Sequence, residues 1–399
     1  MECLLIKHSS DALPPLALWL TLSVNSSVVP QRISWGGRRM FLLGMSGAIL
    51  CTLLFGMGGL PLFTLAWSLN RLLQSAGWVG MVKITSRWFS YSSYGAAMGL
   101  ISLSYLFGDF FSRVFLGLLI NRGMDWRQVF YVSAAVLGVI FITNFFLLKE
   151  SPAAISELEP TANPANVFGT DGVEGTAASE GSEEGQRQEK KPSTLAGLML
   201  PLLRNPIFWV VCILSFGFTL VRETFQNWTP TYLTEVAHMN KGDAATASSL
   251  FPLFGGISVL LVGFLSDRLG KSGRAVIILI GLLLSIPALL LMAYPPAIFG
   301  DSPLLTMMLL GRVAFVLIGP YSFLAGAISL DFGGKRGSAT AAGWIDGIGY
   351  IGGILAGEVV GKMAQQQGWS AAFVFLACVT GLSSLASAVY WWQRQRPAP

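Results

Sequence analysis

Several runs of about 20 apolar residues constrain this chain more than any other feature, because that is the length a helix needs to cross the hydrocarbon core of a bilayer. Hydrophobic residues make up 53% of the 399-residue sequence and charged residues 12%. This is about half of the charged fraction that is typical of soluble domains. Backbone polar groups in lipid must be paired within their own segment, so such runs have to be helical. The sequence therefore predicts an all-α polytopic membrane protein.

Ten candidate spans can be placed along the chain, four in its first part and six in its second. They are Met40–Met57, Leu60–Val82, Tyr94–Ile120, Val129–Leu148, Pro206–Phe225, Ala244–Leu265, Ala275–Tyr294, Leu304–Leu330, Ser338–Lys362 and Ala371–Trp392. Residues 149–204 between the two groups are rich in Ser, Glu, Gly and Pro, which predicts a disordered linker. The chain thus divides into an atypical N-terminal segment at 1–37, a truncated first half at 38–148, the linker, a six-helix second half at 205–392 and a tail at 393–399.

Lysine and arginine are distributed unequally between the two ends of the predicted spans. The basic loop residues of one side are Arg32, Arg38, Arg39, Lys83, Arg87, Lys149, Arg187, Lys190, Lys191, Arg204, Arg268, Lys271, Arg274, Lys335, Arg336, Arg394 and Arg396. Those of the other side are Arg122, Arg127, Lys241 and Lys362. Because cytoplasmic loops are enriched in Lys and Arg, this bias predicts that the linker and the C-terminus lie in the cytoplasm. The net charge of +5 resides in these loops and does not indicate nucleic-acid binding.

The two groups of spans repeat each other in sequence. The motif that begins at Trp126 returns at Trp369, 243 residues later. Likewise, Gly99 returns at Gly343, 244 residues later. Two parallel halves joined by a cytoplasmic linker are typical of transporters whose substrate site lies near the midplane, between the halves.

A short polar loop in the second half identifies the family that this repeat resembles. The loop lies between two apolar runs, so its glycines and charges place it at a membrane surface. Its pattern consists of Gly263, Asp267, Arg268, Gly270, Lys271 and Arg274. This pattern resembles the signature loop between the second and third helices of a major facilitator half, where it gates the change of conformation. The resemblance covers residues 38–392 and implies the major facilitator fold with two parallel-repeat helical halves.

Within that family, the chain is most similar to the organophosphate:phosphate antiporters. The similarity rests on Asn205-Pro206-x-Phe208-Trp209, on Arg222 followed by Trp228-x-Pro230-x-Tyr232, and on Gln74-x-x-Gly77 in the first half. It implies exchange of sugar phosphate or glycerol phosphate for inorganic phosphate. It also implies that an arginine on the first helix of each half holds the phosphate, and Arg222 matches the second of these. The anion:cation symporters share some of these features and remain an alternative.

The first half is shorter than this resemblance requires. Only 38 residues precede Arg39, whereas the equivalent Arg274 follows two complete spans of the second half. We therefore expect the first one or two helices of the N-terminal half to be missing or replaced, together with their phosphate-binding arginine.

Arg222 is the strongest candidate for a substrate-binding residue. An arginine at the centre of a span costs about 2.5–3.5 kcal/mol on insertion scales, so it faces protein or a watery cavity. Its planar donor fork matches phosphate and carboxylate groups. Glu223 projects about 100° away around the helix, so it is not an automatic partner of Arg222. Trp228 and Tyr232 are further candidate substrate contacts, although aromatic side chains within spans are more often packing residues.

Two charged groups in the first half have both a structural and a functional interpretation. Asp109 and Arg113 are spaced i, i+4 on one helix face, which favours a structural ion pair over a proton or anion relay. Arg71, with Gln74 in the same motif, either tunes coupling or pairs with Asp109. The sequence alone leaves the choice for Arg71 open.

Two charged residues of the second half are further candidates for the anion site. Arg312 lies deep in its span and is a possible anion ligand. Asp346 lies in a glycine-rich run, where it either carries a proton or pairs with Arg312. Both are predicted substrate-site residues.

The leading functional hypothesis is a secondary transporter of small organic anions that works by alternating access as a monomer in the lipid bilayer. The alternative from another class is a non-transporting membrane sensor or regulator on the same fold. An enzyme is disfavoured because the sequence has no nucleophile–base pair, metal cluster or nucleotide loop. The four cysteines have neither metal-site nor disulfide spacing. We expect no cofactor, no metal and no nucleic-acid partner.

Overall fold

The computed structural model describes residues 36–89, 91–158, 195–269, 273–295 and 302–395. The regular elements of these residues are helical. They are α1 (Gly37–Met57), α2 (Leu60–Trp88), α3 (Tyr91–Asn121), α4 (Trp126–Leu147), a 3-10 turn (Pro152–Ile155), α5 (Leu195–Leu203), α6 (Pro206–Glu235), α7 (Lys241–Ser248), α8 (Leu250–Leu269), α9 (Gly273–Ala293), α10 (Pro303–Phe323), a π-helical turn (Leu324–Ile328), α11 (Ser329–Gln367) and α12 (Trp369–Gln395). The atypical segment predicted at 1–37 lies almost entirely outside the described residues.

Each of the ten predicted spans is helical in the structure, although Ala244–Leu265 is divided between α7 and α8, and Leu304–Leu330 runs over α10, the π-helical turn and the start of α11. Within the described residues, eight stretches are long and apolar enough to cross a membrane, by length and composition alone. They involve α1, α3, α4, α6, α7 with α8, α9, α10 with the π-helical turn, and α12. The other two predicted spans are α2 and α11, which are long helices with more polar and charged residues.

Several predicted boundaries differ from those of the structure. The predicted linker ends in helix α5, because Leu195–Leu203 is apolar and packs on α6 and α11. The prediction of disorder for residues 159–194 lies outside the described residues. Helix α6 continues beyond Phe225 to Glu235 despite Pro230. The loop that the predicted spans leave at residues 331–337 is instead part of helix α11, in a stretch that contains no proline to end the helix.

Glycine pairs bring the helices of the first group into close contact. Helix α1 packs against α2 and α4. A Cβ atom on Gly44 would lie 2.8 Å from the backbone nitrogen of Gly77, and one on Gly80 would lie 2.6 Å from the carbonyl oxygen of Gly37. Small residues at both contacts allow the two backbones to approach, as in other membrane helix pairs.

Glu150 fixes the start of α1. Its carboxylate accepts the backbone N–H groups of Gly37 and Arg38, both at 2.7 Å. The guanidinium of Arg87 lies 3.6 Å from the same carboxylate. A carboxylate at a helix N-terminus satisfies free N–H donors and interacts favourably with the helix dipole. Glu150 therefore joins the ends of α1 and α2 to the segment that follows α4.

The second group of helices, α6 to α12, contains the largest described core. Helix α6 packs mainly on α11 and α12, while α9 packs on α10 and α12. A Cβ atom on Gly352 of α11 would lie 2.4 Å from the carbonyl oxygen of Phe216. The glycine-rich run of α11 therefore lets this helix lie directly against the backbone of α6.

Helix α3 connects the two groups by packing on α7 and α8. A Cβ atom on Gly117 would lie 2.1 Å from the hydroxyl oxygen of Thr246 and 2.6 Å from the carbonyl oxygen of Gly242. Near the same point, the amide of Asn121 donates a hydrogen bond of 2.8 Å to Asp243. A close contact between the groups thus lies near the C-terminal end of α3.

Candidate functional site

Helix α6 carries Arg222, the central residue of the site, and contains two prolines with different effects on the helix. Asn205 caps the helix by accepting the N–H of Ile207 at 2.9 Å, and Pro206 occupies the first turn, where no N–H donor is needed. Pro230 lies within the helix and has no N–H, so the carbonyl of Gln226 lacks its usual intrahelical partner. Arg222 lies near the middle of this 30-residue helix.

A cavity of about 170 Å³ lies where α3, α6, α8 and α10 meet. Its walls are formed by Leu103, Tyr105, Leu106, Asp109, Arg222, Gln226, Phe251, Pro252, Val259, Ile318, Tyr321 and Ser322. The charged residues among them are Asp109 of α3 and Arg222 of α6. Both groups of helices therefore contribute charged and polar side chains to one cavity.

Arg222 is held in the cavity wall by contacts on two sides. Its guanidinium carbon lies 4.8 Å from the centre of the Tyr321 ring, a cation–π distance. Its Nη2 donates to the carboxylate of Glu223. Its Nε is buried and has no hydrogen-bond partner among the described residues. A buried donor without a partner costs about 1–3 kcal/mol, so a ligand oxygen that accepts from Nε would remove this cost.

Glu223 pairs with Arg222, although its position on the helix does not make it an automatic partner. The two Cα–Cβ directions do diverge along the helix. Both side chains are long enough to bend back, however, and they form an ion pair that is mostly shielded from solvent, with 13% and 19% of the side chains exposed. Spacing rules for helix neighbours describe Cβ positions and do not limit where a flexible charged end lies.

Tyrosine hydroxyls supply much of the remaining polarity near Arg222. Tyr105, Tyr321 and Tyr350 all interact electrostatically with its guanidinium. The hydroxyl of Tyr105 also accepts a hydrogen bond of 3.2 Å from the amide of Gln226. This bond links α3 to α6, so it crosses between the two groups of helices.

The i, i+4 pair predicted between Asp109 and Arg113 is confirmed, with Arg113 Nε 2.9 Å from Asp109 Oδ1. Arg113 also donates to the hydroxyl of Ser248 at 3.1 Å and to the carbonyl of Gln226 at 3.0 Å. That carbonyl is the one that Pro230 leaves without an intrahelical partner. Arg113 therefore joins its own helix to both α6 and the end of α7.

Trp228 and Tyr232 lie in the packed interior and outside the described cavity walls. The indole N–H of Trp228 donates to the carbonyl of Ala356 at 2.9 Å. The ring of Tyr232 packs at 5.3 Å from Trp369 and 4.9 Å from Phe373. The structure thus places both residues in contacts between α6 and its neighbours α11 and α12. A role for them in substrate binding stays a prediction.

Arg312 and Asp346 lie in different surroundings. Arg312 is exposed on α10 and is not among the described residues of the cavity wall. Asp346 is half-buried on α11 and interacts electrostatically with Arg222. Asp346 therefore belongs to the neighbourhood of Arg222, and the described contacts do not pair it with Arg312. Their roles in anion binding stay predictions.

Arg71 and Gln74 make local contacts on α2. Arg71 is exposed, and its guanidinium carbon lies 4.7 Å from the centre of the Trp67 ring. Gln74 donates to the side chain of Asn70 on the same helix. The suggested pairing of Arg71 with Asp109 is wrong, because the described partner of Asp109 is Arg113.

The signature loop is only partly within the described residues. Gly263 is half-buried, and Arg268 lies with its guanidinium carbon 4.3 Å from the centre of the Phe264 ring. The side chain of Asp267 and the whole of Gly270 and Lys271 lie outside the described residues.

Arg274, the last residue of the loop pattern, begins α9 and forms an ion pair with Asp331 at 3.3 Å. Arg394, at the end of α12, binds the same carboxylate at 2.6 Å. Asp331 therefore links the ends of α9, α11 and α12. A role of the loop in gating stays a prediction.

Sequence reasoning missed several polar contacts of the site. Gln226 and Ser322 line the cavity, and Glu223 binds Arg222 directly. The position of Gln226 four residues after Arg222, on the same helix face, was the signal that would have found it. Ser322 has no comparable signal, because its exposure to the cavity depends on how α10 packs. Among the described residues, no group of three His, Cys, Asp or Glu side chains is placed to hold a metal ion.

Membrane-length helices in two repeated groups around one charged cavity define a membrane transport protein. Comparison with known families gives the more particular assignment. The chain belongs to the Major Facilitator Superfamily, whose sequence profile matches residues 31–357. The family and the fold that the sequence predicts are therefore confirmed.

Named relatives agree with the more detailed resemblance. The chain is 27% identical over 361 residues to a protein of Chlamydia pneumoniae named as a probable hexose phosphate transport protein, covering 89% of this chain and 76% of the relative. It is 26% identical to the glycerol-3-phosphate transporter of Bacillus subtilis, covering 80% and 68%. It is 28% identical to the mouse glucose-6-phosphate exchanger SLC37A2, covering 86% and 71%. The predicted similarity to organophosphate exchangers is confirmed.

Solved structures support the same fold at lower identity. A POT family transporter in complex with 5-aminolevulinic acid superimposes with a TM-score of 0.69 at 14% identity, covering 98% of this chain and 87% of that one. A bacterial homologue of the human lysosomal transporter Spinster gives a TM-score of 0.65 at 15% identity, covering 96% and 87%. At these identities the likeness concerns the fold alone.

Proposed function

We propose that this protein is a secondary transporter of small organic anions and that its substrates are sugar phosphates or glycerol phosphate, exchanged for inorganic phosphate. The observation that carries the proposal is Arg222, which lies in the wall of an internal cavity with a buried, unpartnered Nε. A guanidinium presents a planar set of donors that fits phosphate oxygens. The names of the relatives point to the same substrate class.

The tyrosines around Arg222 support the choice of a polar ester. Sugar and glycerol phosphates carry hydroxyl groups beside the phosphate, and these need hydrogen-bond partners in a water-poor site. Tyr105, Gln226, Tyr321 and Ser322 provide such partners in the cavity wall. Asp346 lies close enough to act on the charge of Arg222 and is a further substrate-site residue in this proposal.

The proposal includes alternating access by a monomer, with the linker and the C-terminus in the cytoplasm. The excess of basic residues at one end of the spans supports this orientation. In it, the contacts of Gly117, Arg113 and Asn121 with α6 and α7 close the cavity on the outer side. Rocking the two groups of helices about the cavity would open these contacts, and a site within one chain requires no second copy.

Exchange in proteoliposomes tests the proposal. Vesicles that contain the purified full chain are loaded with inorganic phosphate, and uptake of labelled glucose 6-phosphate or glycerol 3-phosphate is measured. We expect uptake that depends on internal phosphate. Replacing Arg222 with Lys removes the planar donor fork, and the loss of one charged hydrogen bond should lower uptake about tenfold or more.

Arg127→Lys is the matched control, because Arg127 is exposed at the start of α4, lies over the ring of Trp126 and is not among the described residues of the cavity wall. Full uptake by Arg222→Lys would contradict the role of Arg222. Uptake that needs a sodium gradient and no internal phosphate would instead indicate an anion:cation symporter. Binding of the phosphate ester without uptake would indicate a sensor.

A further inference from the structure

The described charges around the cavity largely neutralise each other. Arg113 is paired with Asp109 on α3, and Arg222 is paired with Glu223 on α6. Asp346 on α11 adds a further carboxylate that acts on Arg222. An anion that enters the cavity therefore meets a guanidinium whose charge is already compensated by the protein.

Glu223 reaches Arg222 from outside the cavity. It is not among the described wall residues, whereas Arg222 is. Its side chain runs along α11, because a Cβ atom on Gly353 would lie 3.3 Å from the Glu223 Cγ. The absence of a side chain at Gly353 thus leaves the space that Glu223 occupies. The carboxylate takes one donor of the guanidinium, Nη2, and leaves Nε unpartnered.

We propose that Glu223 is an internal competitor that sets the affinity of the anion site by holding Arg222 in an ion pair which the substrate must displace or weaken. This inference rests on the proposed function and adds to it the residue that tunes binding and release. Removing Glu223 leaves Arg222 uncompensated, so an anion binds more tightly. The same tight binding slows release, because differences in affinity between related complexes lie mainly in the dissociation rate.

The test combines equilibrium binding with exchange. Binding of labelled glucose 6-phosphate, and of inorganic phosphate, is measured on purified wild-type protein and on Glu223→Gln, which keeps the shape and removes the charge. We expect the Kd to fall about tenfold, which corresponds to about 1.4 kcal/mol. We also expect the maximal exchange rate in proteoliposomes to fall, so that KM and the maximal rate decrease together. A residue that only supports the structure would raise KM when it is replaced.

Glu358→Gln is the matched control, because Glu358 pairs with Lys362 on α11 at 3.0 Å and does not line the described cavity. We expect it to bind like the wild type. In an Arg222→Ala background, Glu223→Gln should leave the remaining affinity unchanged, because the guanidinium for which Glu223 and the substrate compete is no longer present. Glu223→Ala provides a second deletion of the carboxylate if Glu223→Gln does not fold.

The outcomes separate the two proposals. An unchanged or higher Kd in both Glu223 variants, with normal exchange by the wild type, overturns the competitor role and leaves the transport proposal intact. An equal effect of Glu223→Gln with and without Arg222 also overturns it. If the wild type binds neither glucose 6-phosphate nor inorganic phosphate, both proposals fail.

Discussion

At the scale of single residues, Arg113 makes the most informative set of contacts outside the cavity wall. It binds Asp109 on its own helix, the hydroxyl of Ser248 and the carbonyl of Gln226. The last acceptor exists because Pro230 cannot donate to it. One guanidinium thus satisfies a carboxylate, a hydroxyl and a main-chain oxygen in three helices, and its five N–H donors suit it to bind acceptors in different directions.

Replacing Arg113 with Gln should therefore destabilise the protein. The change leaves the Asp109 carboxylate without a cationic partner in a mostly buried place, and removing one partner of such a pair costs about 3–5 kcal/mol. The measurement is the unfolding free energy, or the melting temperature, of the protein in detergent. Arg127→Gln, at an exposed position, should change stability by less than about 0.5 kcal/mol. Equal stability of the two variants would contradict the importance of Arg113.

The same residue scale shows the limits of sequence reasoning. The Asp109–Arg113 pair was predictable because i, i+4 spacing fixes two side chains on one helix face. Arg222 was predictable as a cavity residue because lipid penalises an unaccommodated charge. The contact of Arg222 with Glu223 was not, since it depends on side-chain torsions and on the space above Gly353. A packing position for Trp228 was one of the two interpretations of the sequence. Its actual place depends on Gly361, where a Cβ atom would lie 2.4 Å from the Trp228 ring.

At the scale of helices, glycines at two contacts determine how closely neighbours pack. Gly117 of α3 meets Gly242 and Thr246 of α7, while Gly352 of α11 meets the backbone of α6. The sequence predicted the glycine-rich run of α11 and the approximate helix positions from apolar length. It did not predict which glycines face another helix, because that depends on helix rotation and crossing geometry.

Gly117→Ala should weaken the contact between α3 and α7. The added methyl group would lie 2.1 Å from the Thr246 hydroxyl, so the helices have to separate. Overpacking of this kind costs about 1–3 kcal/mol. The readout is again the melting temperature, measured on Gly117→Ala and on the wild type.

Gly138→Ala is the matched control, because no atom lies within 4 Å of a Cβ built on Gly138 of α4. Alanine in an open helical position should leave stability unchanged or raise it slightly. A melting temperature for Gly117→Ala as high as that of this control would show that the contact tolerates a side chain.

At the scale of the whole molecule, the two repeated groups tie their helix ends together with similar charge networks. In the first group Glu150 binds the start of α1 and Arg87. In the second group Asp331 binds Arg274 and Arg394. Adding the repeat spacing of 244 residues to positions 87 and 150 gives 331 and 394. The repeat therefore preserves an ion pair at the same two positions with the charges exchanged: Arg87 corresponds to Asp331, and Glu150 corresponds to Arg394.

Asp331→Asn should loosen the ends of α9, α11 and α12 together. The pairs are about one-third exposed, at 32–35% of the side chains, so the expected loss is about 1 kcal/mol and should shrink in high salt. Melting temperatures at low and high ionic strength measure both effects. Glu358→Gln removes only a single exposed pair and should cost less. A salt-independent loss for Asp331→Asn would indicate a packing effect instead of an electrostatic one.

The overall architecture was the most predictable level. The length of the apolar runs predicts the membrane-spanning helices, and the internal repeat predicts the two halves. The excess of basic residues on one side predicts their orientation. The cavity itself was not predictable in detail. Phe251, Ile318 and Ser322 come together only when α8 and α10 pack, and ordinary apolar or small residues carry no sequence signal for that arrangement.

Pro230 leaves the carbonyl of Gln226 free to accept from Arg113, and this hydrogen bond affects which substitutions the protein tolerates. The acceptor is a main-chain oxygen, so any residue type at position 226 supplies it. The side chain of Gln226 is therefore not needed for this bond and instead lines the cavity, where it donates to the hydroxyl of Tyr105. Residue 226 can be substituted to suit a different substrate without loss of the Arg113 contact. The residue type that this contact requires is instead the proline at position 230, four residues further along the helix. A substitution of Pro230 would return the carbonyl to its own helix and weaken the link, even though residue 230 makes no part of it.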